Sequence, residues 1–243
     1  MGPAGVTGVT GLTQQAARAW NDCFLAGLPV AISERLLDGA REVRIEPADL
    51  MLRRQGPGSD ASVYLIVEGL VRIYLVGPDG RQATVRYATD GDVIGLPPLL
   101  VSGMDIWAEA VTEVCAVRLS SRRLVALAEK HVELAWPTAL YVAQQLASTN
   151  DVLAADIFLP VRARLARHLL DLAQRHPDGL LVPARHKHLA DAIGSVREVV
   201  SREMKRFADE RLVSRIDSGT KLEDPAELHR ISTGEPTQHT APR

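Results

Sequence analysis

The spacing of hydrophobic residues changes along the chain, and each change predicts a different structure. From Thr13 to Leu37, apolar residues recur at helical spacing, and Pro29 interrupts this run. Over residues 41–119 the apolar positions instead form short runs such as SVYLIV and LVRIYLV, which are rich in β-branched and aromatic residues. Turn sequences such as GPDG and TDGD separate these runs. Short strands at regular spacing predict an antiparallel sandwich or roll.

A long helical segment is predicted over residues 120–158, and Pro160 should end it because proline cannot continue a helix. Small or apolar residues and one asparagine recur at steps of three and four, at Ala143, Leu146, Asn150, Leu153 and Ile157. This spacing is typical of the seam between two packed helices, and a polar residue in it favours a fixed register. A neighbouring register through Val142 and Thr149 fits nearly as well. A helix packed against its own sheet is the alternative.

The C-terminal part of the chain predicts a small helical domain. Residues 161–176 have the pattern of an amphipathic helix, and a turn follows at residues 177–179. Residues 186–213 read HKHLADAIGSVREVVSREMKRFADERLV. Two short helices that flank a tight turn at Gly194 fit this segment, and that arrangement is the helix-turn-helix signature.

The second helix of this pair, predicted over about residues 196–210, carries side chains that can read DNA. The base-reading candidates are Arg197, Glu198, Ser201 and Arg202, and the phosphate-binding candidates are Lys187, Lys205 and Arg206. Arginine can form two hydrogen bonds with guanine and glutamate can accept one from cytosine, whereas lysine suits phosphates. Two extended runs around Ser218-Gly219 then predict a β-hairpin wing. A solvated charged helix is the alternative interpretation.

The charge distribution singles out the same segment. The chain of 243 residues has a formal net charge of −2, but residues 160–222 contain 13 Lys and Arg against 8 Asp and Glu. Such asymmetry favours a polyanionic partner for the basic segment. Two domains with unequal surfaces would give the same asymmetry.

Composition argues against several other classes of protein. No apolar run reaches the roughly 18 residues of a membrane span, and the N-terminus lacks the pattern of a signal peptide, so we expect a cytoplasmic protein. Cys23 and Cys115 are too few for a four-cysteine cluster or a zinc ribbon, and no metal site is predicted. Cys115 is expected in the core, and Cys23 is a candidate for redox activity. The sequence shows no nucleophile elbow or P-loop, so no catalytic residue and no enzyme activity are predicted.

These segments together resemble the Crp/Fnr family of transcription regulators. The match covers about residues 20–230 and is strongest in LADAIGSVREVVSREMKRF. The runs VYLIVEGLVRIYL and GDVIGL resemble the family's cyclic-nucleotide-binding roll. The resemblance implies an α+β fold with an N-terminal antiparallel β-roll of jelly-roll type, a long dimerisation helix and a C-terminal winged helix-turn-helix. It also implies a homodimer in which Arg197, Glu198 and Arg202 of each subunit read a palindrome with TGTGA-like half-sites.

The domain organisation that follows has five parts. We expect a disordered N-terminus at 1–12, the sensor roll at 13–119, the dimerisation helix at 120–158, the winged helix-turn-helix at 159–231 and a disordered tail at 232–243. The expected partners are double-stranded DNA, a second copy of the chain and RNA polymerase, with no membrane.

The resemblance weakens where a cyclic nucleotide would bind. The implied effector pocket would involve Gly95, Leu96, Met104, Asp105, Thr149 and Asn150. Family members that bind cyclic AMP have a glutamate after the glycine and an Arg-Ser/Thr pair about ten residues later. Leu96 occupies the first position here, and Met104 with Asp105 the second. A carboxylate and a thioether cannot neutralise a phosphate, so an ordinary cyclic AMP site is disfavoured.

Two other functions stay open. The first is a cyclic-nucleotide-responsive regulator with a rearranged pocket, in which Arg81, Arg86 or Arg118 reaches the phosphate. The second is an effector-binding or protein-interaction module whose helix-turn-helix no longer reads DNA.

Overall fold

The computed structural model describes residues 12–52, 62–78, 80, 82–101, 106–177, 179–217 and 219–233. The chain divides into two compact units. One comprises the chain up to Val76 together with Arg86–Thr149, and the other comprises Gly77–Val85 together with the chain from Asn150 onward.

The N-terminal elements are two helices followed by a series of short strands. The helices are α1 (Gln14–Asp22) and α2 (Val30–Leu37). The strands are β1 (Arg41–Ile45), β2 (Leu50–Leu52), β3 (Ser62–Glu68), β4 (Val71–Val76), β5 (Gln82–Ala88), β6 (Val93–Ile94), β7 (Trp107–Ala110) and β8 (Val114–Ser120). A short helix, α3 (Pro97–Leu100), lies between β6 and β7, and α4 (Ser121–Ala128) and α5 (Val132–Phe158) follow the last strand.

The strands form an antiparallel roll of two sheets, as predicted. One sheet has the order β1-β8-β3-β6 and the other the order β2-β7-β4-β5. In the first sheet, Leu65 pairs with Val117 and Val63 with Leu119, so these four side chains share one face. All four belong to the buried cluster that α1, α2 and α4 complete. A shift of one residue in this pairing would move these four side chains to the opposite face, so their packing specifies the register.

The C-terminal unit combines helices with a small antiparallel sheet. Its elements are α6 (Val161–Asp171), β9 (Gln174–His176), β10 (Gly179–Val182), α7 (His186–Ala192), α8 (Arg197–Asp209), β11 (Val213–Ile216), β12 (Gly219–Leu222) and α9 (Pro225–Ser232). The strand order is β11-β12-β10-β9. Leu165, Leu189 and Phe207, from three different helices, are completely buried. The predicted α+β fold, with an N-terminal roll, a long helix and a C-terminal helix-turn-helix, is confirmed.

Some helix boundaries differ from the prediction. The first helix ends at Asp22, because Cys23 and the residues after it form a turn that keeps Phe24 and Leu28 out of the helix. The predicted helical segment 120–158 is two helices, interrupted at residues 129–131, while Pro137 lies inside α5.

The predicted helix 161–176 was too long. It ends at Asp171, and residues 174–176 are strand β9, whose Gln174 pairs with Leu181 of β10. Pairing with β10 supplies the hydrogen bonds that a continued helix would have made.

Helix α9 was not predicted, although its start carries an ordinary local signal. The Asp224 side chain accepts a hydrogen bond from the Glu227 N–H at 2.9 Å, and Pro225 is the first helical residue. Apart from Leu12, Ser232 and Thr233, the predicted disordered ends 1–12 and 232–243 lie outside the described residues. Ser232 is a buried residue at the end of α9. None of the described helices is long and apolar enough to cross a membrane.

Candidate nucleic-acid interface

A glycine turn joins α7 to α8. Gly194 has a φ of +59°, a left-handed conformation that glycine adopts without strain. The Ser195 N–H then donates to the Ala190 carbonyl at 3.0 Å, which closes the turn. Ala190 is buried, and its small side chain allows the two helices to approach. The predicted helix-turn-helix is present at residues 186–209.

One side of α8 is buried and the other faces solvent. Val200, Met204 and Phe207 are buried, at the helical spacing of an inward face. The predicted DNA contacts Arg197, Glu198, Arg202, Lys205 and Arg206 are exposed, Ser201 is half-buried, and Lys187 is exposed on α7. The structure therefore places Arg197, Glu198 and Arg202 on the solvent-exposed side of α8, with Ser201 partly covered.

Arginines from α6 hold the recognition elements in place. The Arg162 guanidinium lies 4.8 Å from the centre of the Phe207 ring and forms an ion pair with Glu210. Arg164 donates from Nη1 to the Ile193 carbonyl at 2.6 Å, at the last turn of α7. The helix-turn-helix is thereby tied to the helix that precedes it.

Arg206 is engaged within its own helix. Its Nη1 donates to Oε1 of the buried Glu203 at 2.8 Å, although the Arg206 side chain remains mostly exposed. A phosphate contact by Arg206 would compete with this ion pair, whereas Lys205 is exposed beside it.

His186 marks the place where α7, α8 and the wing meet. Its Nδ1 lies 3.2 Å from the Ser201 hydroxyl of α8. Burial lowers the pKa of His186, and the cations Arg215 of β11 and Arg197 of α8 lower this pKa further. A basic surface thus extends from the recognition helix to the wing.

Sequence reasoning missed two members of this surface, Arg185 and Arg215. Arg185 is the exposed residue before α7, and Arg215 is exposed on β11. The alternation of β11, in which Val213 is buried and Arg215 exposed, could have identified Arg215 as an outward-facing cation of the wing.

The predicted effector pocket is only partly described, since Met104, Asp105 and Arg81 lie outside the described residues. Gly95 has a φ of +94°, and a Cβ there would lie 2.3 Å from the Ser62 carbonyl oxygen, so the position requires glycine. Leu96 is 1% exposed and packs in the core beside the helices. Thr149 is half-buried and donates to its own helix, at the Gln145 carbonyl, while Asn150 is exposed.

Two arginines that could bind a phosphate in a rearranged pocket are held by hydrogen bonds. Arg118 donates from Nε to the Ser62 hydroxyl at 3.2 Å, and the Ser62 carbonyl faces Gly95. Arg86 donates to the Val93 carbonyl at 3.4 Å and lies 3.8 Å from Asp92. Ser62 therefore links the glycine turn to the Arg118 guanidinium.

The predicted seam of α5 faces solvent. Leu146, Leu153 and Ile157 are 62%, 57% and 64% exposed, and Ala143 and Asn150 are exposed with them. The helix packs against its own unit through a different face that includes Leu134 and Tyr141. The Tyr141 ring stacks on Phe24 at 4.4 Å. Helix α5 thus packs against its own unit, as in the alternative interpretation, but through a face other than the seam, and the role of the seam between two helices stays a prediction.

The cysteines do not form a reactive centre. The Cys23 thiol is buried, donates to the Trp20 carbonyl at 3.1 Å, and has its pKa raised to about 11, chiefly by burial. Reactivity requires the thiolate, so this environment argues against the redox role considered for Cys23. Cys115, which was expected in the core, is instead half-buried and packs against it, and burial raises its pKa too. No group of three or more metal-binding side chains occurs among the residues described.

Comparison with known proteins matches each half of the chain to a domain family. Residues 42–131 match the family model of the cyclic nucleotide-binding domain, and residues 163–231 match that of the Crp-like helix-turn-helix domain. The transcriptional regulator LdrP of Thermus thermophilus is 33% identical over 174 residues, which cover 70% of this chain and 86% of LdrP. The cAMP-activated global transcriptional regulator CRP of Escherichia coli O6:H1 is 27% identical over 175 residues, covering 69% of this chain and 83% of CRP.

A solved structure supports the same assignment. TTHB099, a CRP-family transcriptional regulator from Thermus thermophilus, is 30% identical and superposes with a TM-score of 0.67. The alignment covers 79% of this chain and 96% of TTHB099.

Proposed function

The chain belongs to the Crp/Fnr family, whose members are DNA-binding transcription regulators and not enzymes, and from this premise we propose that it reads a palindromic DNA site as a homodimer. The observation that carries the proposal is the exposed face of α8, on which Arg197, Glu198 and Arg202 stand together. Arginine and glutamate side chains on a recognition helix can discriminate guanine and cytosine in the major groove. We expect half-sites similar to TGTGA.

The basic residues around α8 would bind the phosphates. Lys187, Lys205 and Arg206 were predicted for this role, and the exposed Arg185 and Arg215 extend it to the start of α7 and to the wing. Phosphate contacts fix the register of the protein on the duplex and make the affinity depend on salt.

The second copy of the chain would pack on the exposed seam of α5. An apolar stripe along a helix loses contact with water when a second helix covers it, and the exposed Leu146, Leu153 and Ile157 supply such a stripe. Two recognition helices would then meet half-sites about 34 Å apart.

The roll would bind an effector other than cyclic AMP or serve a structural role. The E. coli relative is named as cAMP-activated. In this chain, Leu96 stands where the resemblance places the glutamate of cyclic AMP binders, and it is buried in the core. A leucine side chain in that place cannot hold a ribose hydroxyl.

A second candidate is a rearranged anion site in the roll. Arg118 is exposed and reaches the Ser62 hydroxyl, next to the turn at Gly95. A cyclic nucleotide whose phosphate meets Arg118 would not need the Arg-Ser/Thr pair that this chain lacks.

We also propose that the DNA-bound dimer acts on RNA polymerase in the cytoplasm. The support is the family's role in transcription, since a regulator bound to a promoter must change how the polymerase binds or starts there.

The test of DNA reading is a selection of bound fragments from random duplexes, followed by titration of the selected site in fluorescence anisotropy. The selection should enrich a two-fold symmetric sequence, and its affinity should fall steeply as salt rises. Equal binding to scrambled and palindromic duplexes would contradict the proposal.

Substitution separates base readers from phosphate contacts. Arg202→Ala should cost about 1–3 kcal/mol on the selected site and relax specificity at one base pair of each half-site. Lys205→Ala is the matched control, because it should weaken all duplexes by a similar factor and reduce the salt slope by about one. A uniform loss with Arg202→Ala would reassign Arg202 to the phosphates.

A further inference from the structure

Val196 is an exposed apolar residue at the start of the recognition helix. It is the N-cap of α8, and its side chain is 59% exposed. The N-caps of α1, α4 and α9 are Thr13, Ser120 and Asp224, and each accepts a hydrogen bond from its own helix. Valine has no acceptor, so α8 begins without a side-chain hydrogen bond at its N-cap, as α2, α6 and α7 also do.

The fold gains little from a valine at this position. Ser, Thr, Asp and Asn stabilise helices as N-caps, whereas valine is among the poorest residues there. The exposure of Val196 shows that its methyl groups do not compensate by packing in the core. An exposed apolar side chain at the start of the recognition helix is available for a contact outside the folded chain.

The surroundings of Val196 indicate what that contact is. Arg197 and Glu198 follow it directly and are both exposed. The side chain of Val196 is therefore an apolar group beside two charged groups that we assign to base reading. In the major groove, thymine alone presents an apolar group, its 5-methyl, and apolar side chains contact it there.

We propose that Val196 is a specificity-determining residue whose methyl groups pack against the 5-methyl group of one thymine in each half-site. This inference rests on the proposed function, since it requires α8 to enter the major groove. It adds an apolar reader to the polar set at Arg197, Glu198 and Arg202. The thymine that it selects lies next to the base pairs those residues contact.

The experiment replaces each thymine of the selected palindrome with uracil, symmetrically in both half-sites. Uracil lacks only the methyl group, so every hydrogen bond to the base is kept. With one methyl group buried per half-site, affinity should fall about fourfold for each half-site at one thymine position and remain unchanged at the others. Anisotropy titrations of the full-length protein give these ratios.

Two variants assign the effect to Val196. Val196→Ala removes the methyl groups, and Val196→Ser removes them while supplying an N-cap. Val196→Ser should bind the thymine and uracil duplexes equally, and Val196→Ala should show a smaller difference than the wild type. Val196→Ser should also raise the thermal midpoint, by about 2–4 °C, so a loss of thymine selection cannot be explained by unfolding. The matched control is Val30→Ser, a similarly exposed valine on α2, which should keep the uracil effect.

The possible outcomes separate this inference from the proposed function. If the wild type selects a palindrome but tolerates uracil at every thymine, or if the selected half-site contains no constant thymine, the role of Val196 is wrong while DNA reading stands. A uracil effect that persists undiminished in Val196→Ser also overturns the inference. If no palindrome is selected, the proposed function itself fails.

Discussion

His186 connects protonation to DNA binding through its position between α7, α8 and the wing. Burial and the nearby Arg215 and Arg197 lower the pKa of its imidazole. A bound duplex would bring phosphates to this surface and favour the protonated imidazole, so the pKa of His186 should rise on binding. The affinity for DNA should therefore increase as the pH falls through the usual histidine range, near about 6.5.

The stability of the free protein should change in the opposite direction. Because the pKa of His186 is lower in the folded chain than in the unfolded chain, the unfolded chain takes up the proton first as the pH falls. The free energy of unfolding should then decrease below about pH 6.5.

Wild type and His186→Gln are compared by anisotropy and by urea unfolding at about pH 7.5 and about pH 5.5. The variant should show smaller pH effects in both measurements, because it lacks the His186 imidazole. Some pH dependence should remain, since every other histidine is still present. Equal pH dependence in the two proteins would show that His186 does not titrate at this surface.

At the scale of elements, the Arg164 hydrogen bond should decide how firmly the turn between α7 and α8 is held. Arg164→Met keeps much of the apolar stem but removes the 2.6 Å bond to the Ile193 carbonyl. Hydrogen bonds from charged donors contribute about 1.5–3 kcal/mol, so the free energy of unfolding should fall by that amount. Urea denaturation measures it. Lys187→Met, an exposed side chain on α7, should change stability by less than about 0.5 kcal/mol.

Elements with strong local signals are the ones that the sequence predicts. Gly194 and the apolar Leu189 and Ile193 define the turn between two helices, and the fold confirms it. Helix α9, which was not predicted, also has such a signal at Asp224 and Pro225. Strand β9 had none, because the polar sequence QRH forms a strand only when β10 pairs with it from beyond a turn. Pairing of that kind depends on tertiary structure.

In the candidate site, too, some features follow from the local sequence and others depend on tertiary structure. The outward position of Arg197 and Arg202 follows from helical periodicity, and their roles at bases stay predictions. The contact between His186 and Ser201 joins residues on two helices and depends on the geometry of the turn. Likewise, the burial of Leu96 follows from how the sheet and the helices pack, which the local sequence does not specify.

At the scale of the whole molecule, the proposed dimer requires a seam that stays apolar. Leu153→Glu would place a charge in the middle of the exposed stripe, and burying it against a second copy would be costly. We expect a monomer in analytical ultracentrifugation. Because two linked recognition helices bind a palindrome far more tightly than one, affinity for the palindrome should fall at least about 100-fold.

The control for this prediction is Gln144→Glu, which adds the same charge at an exposed position of α5 outside the seam. It should remain dimeric. A Leu153→Glu protein that sediments as a dimer would place the interface elsewhere.

Binding of an effector to the roll must obey a reciprocal relation with DNA binding. A ligand changes DNA affinity only if it binds one arrangement of the dimer more tightly, and DNA then changes the affinity for that ligand by the same factor. With Leu96 buried, we expect calorimetry to detect no micromolar binding of cyclic AMP or cyclic GMP and anisotropy to show no change in DNA affinity.

If either nucleotide does bind at micromolar concentration, Arg118→Gln tests the rearranged pocket. The substitution removes the guanidinium beside Ser62, so it should weaken that binding at least about tenfold while DNA affinity without ligand stays the same. Binding that survives Arg118→Gln would show that the phosphate is held by other groups.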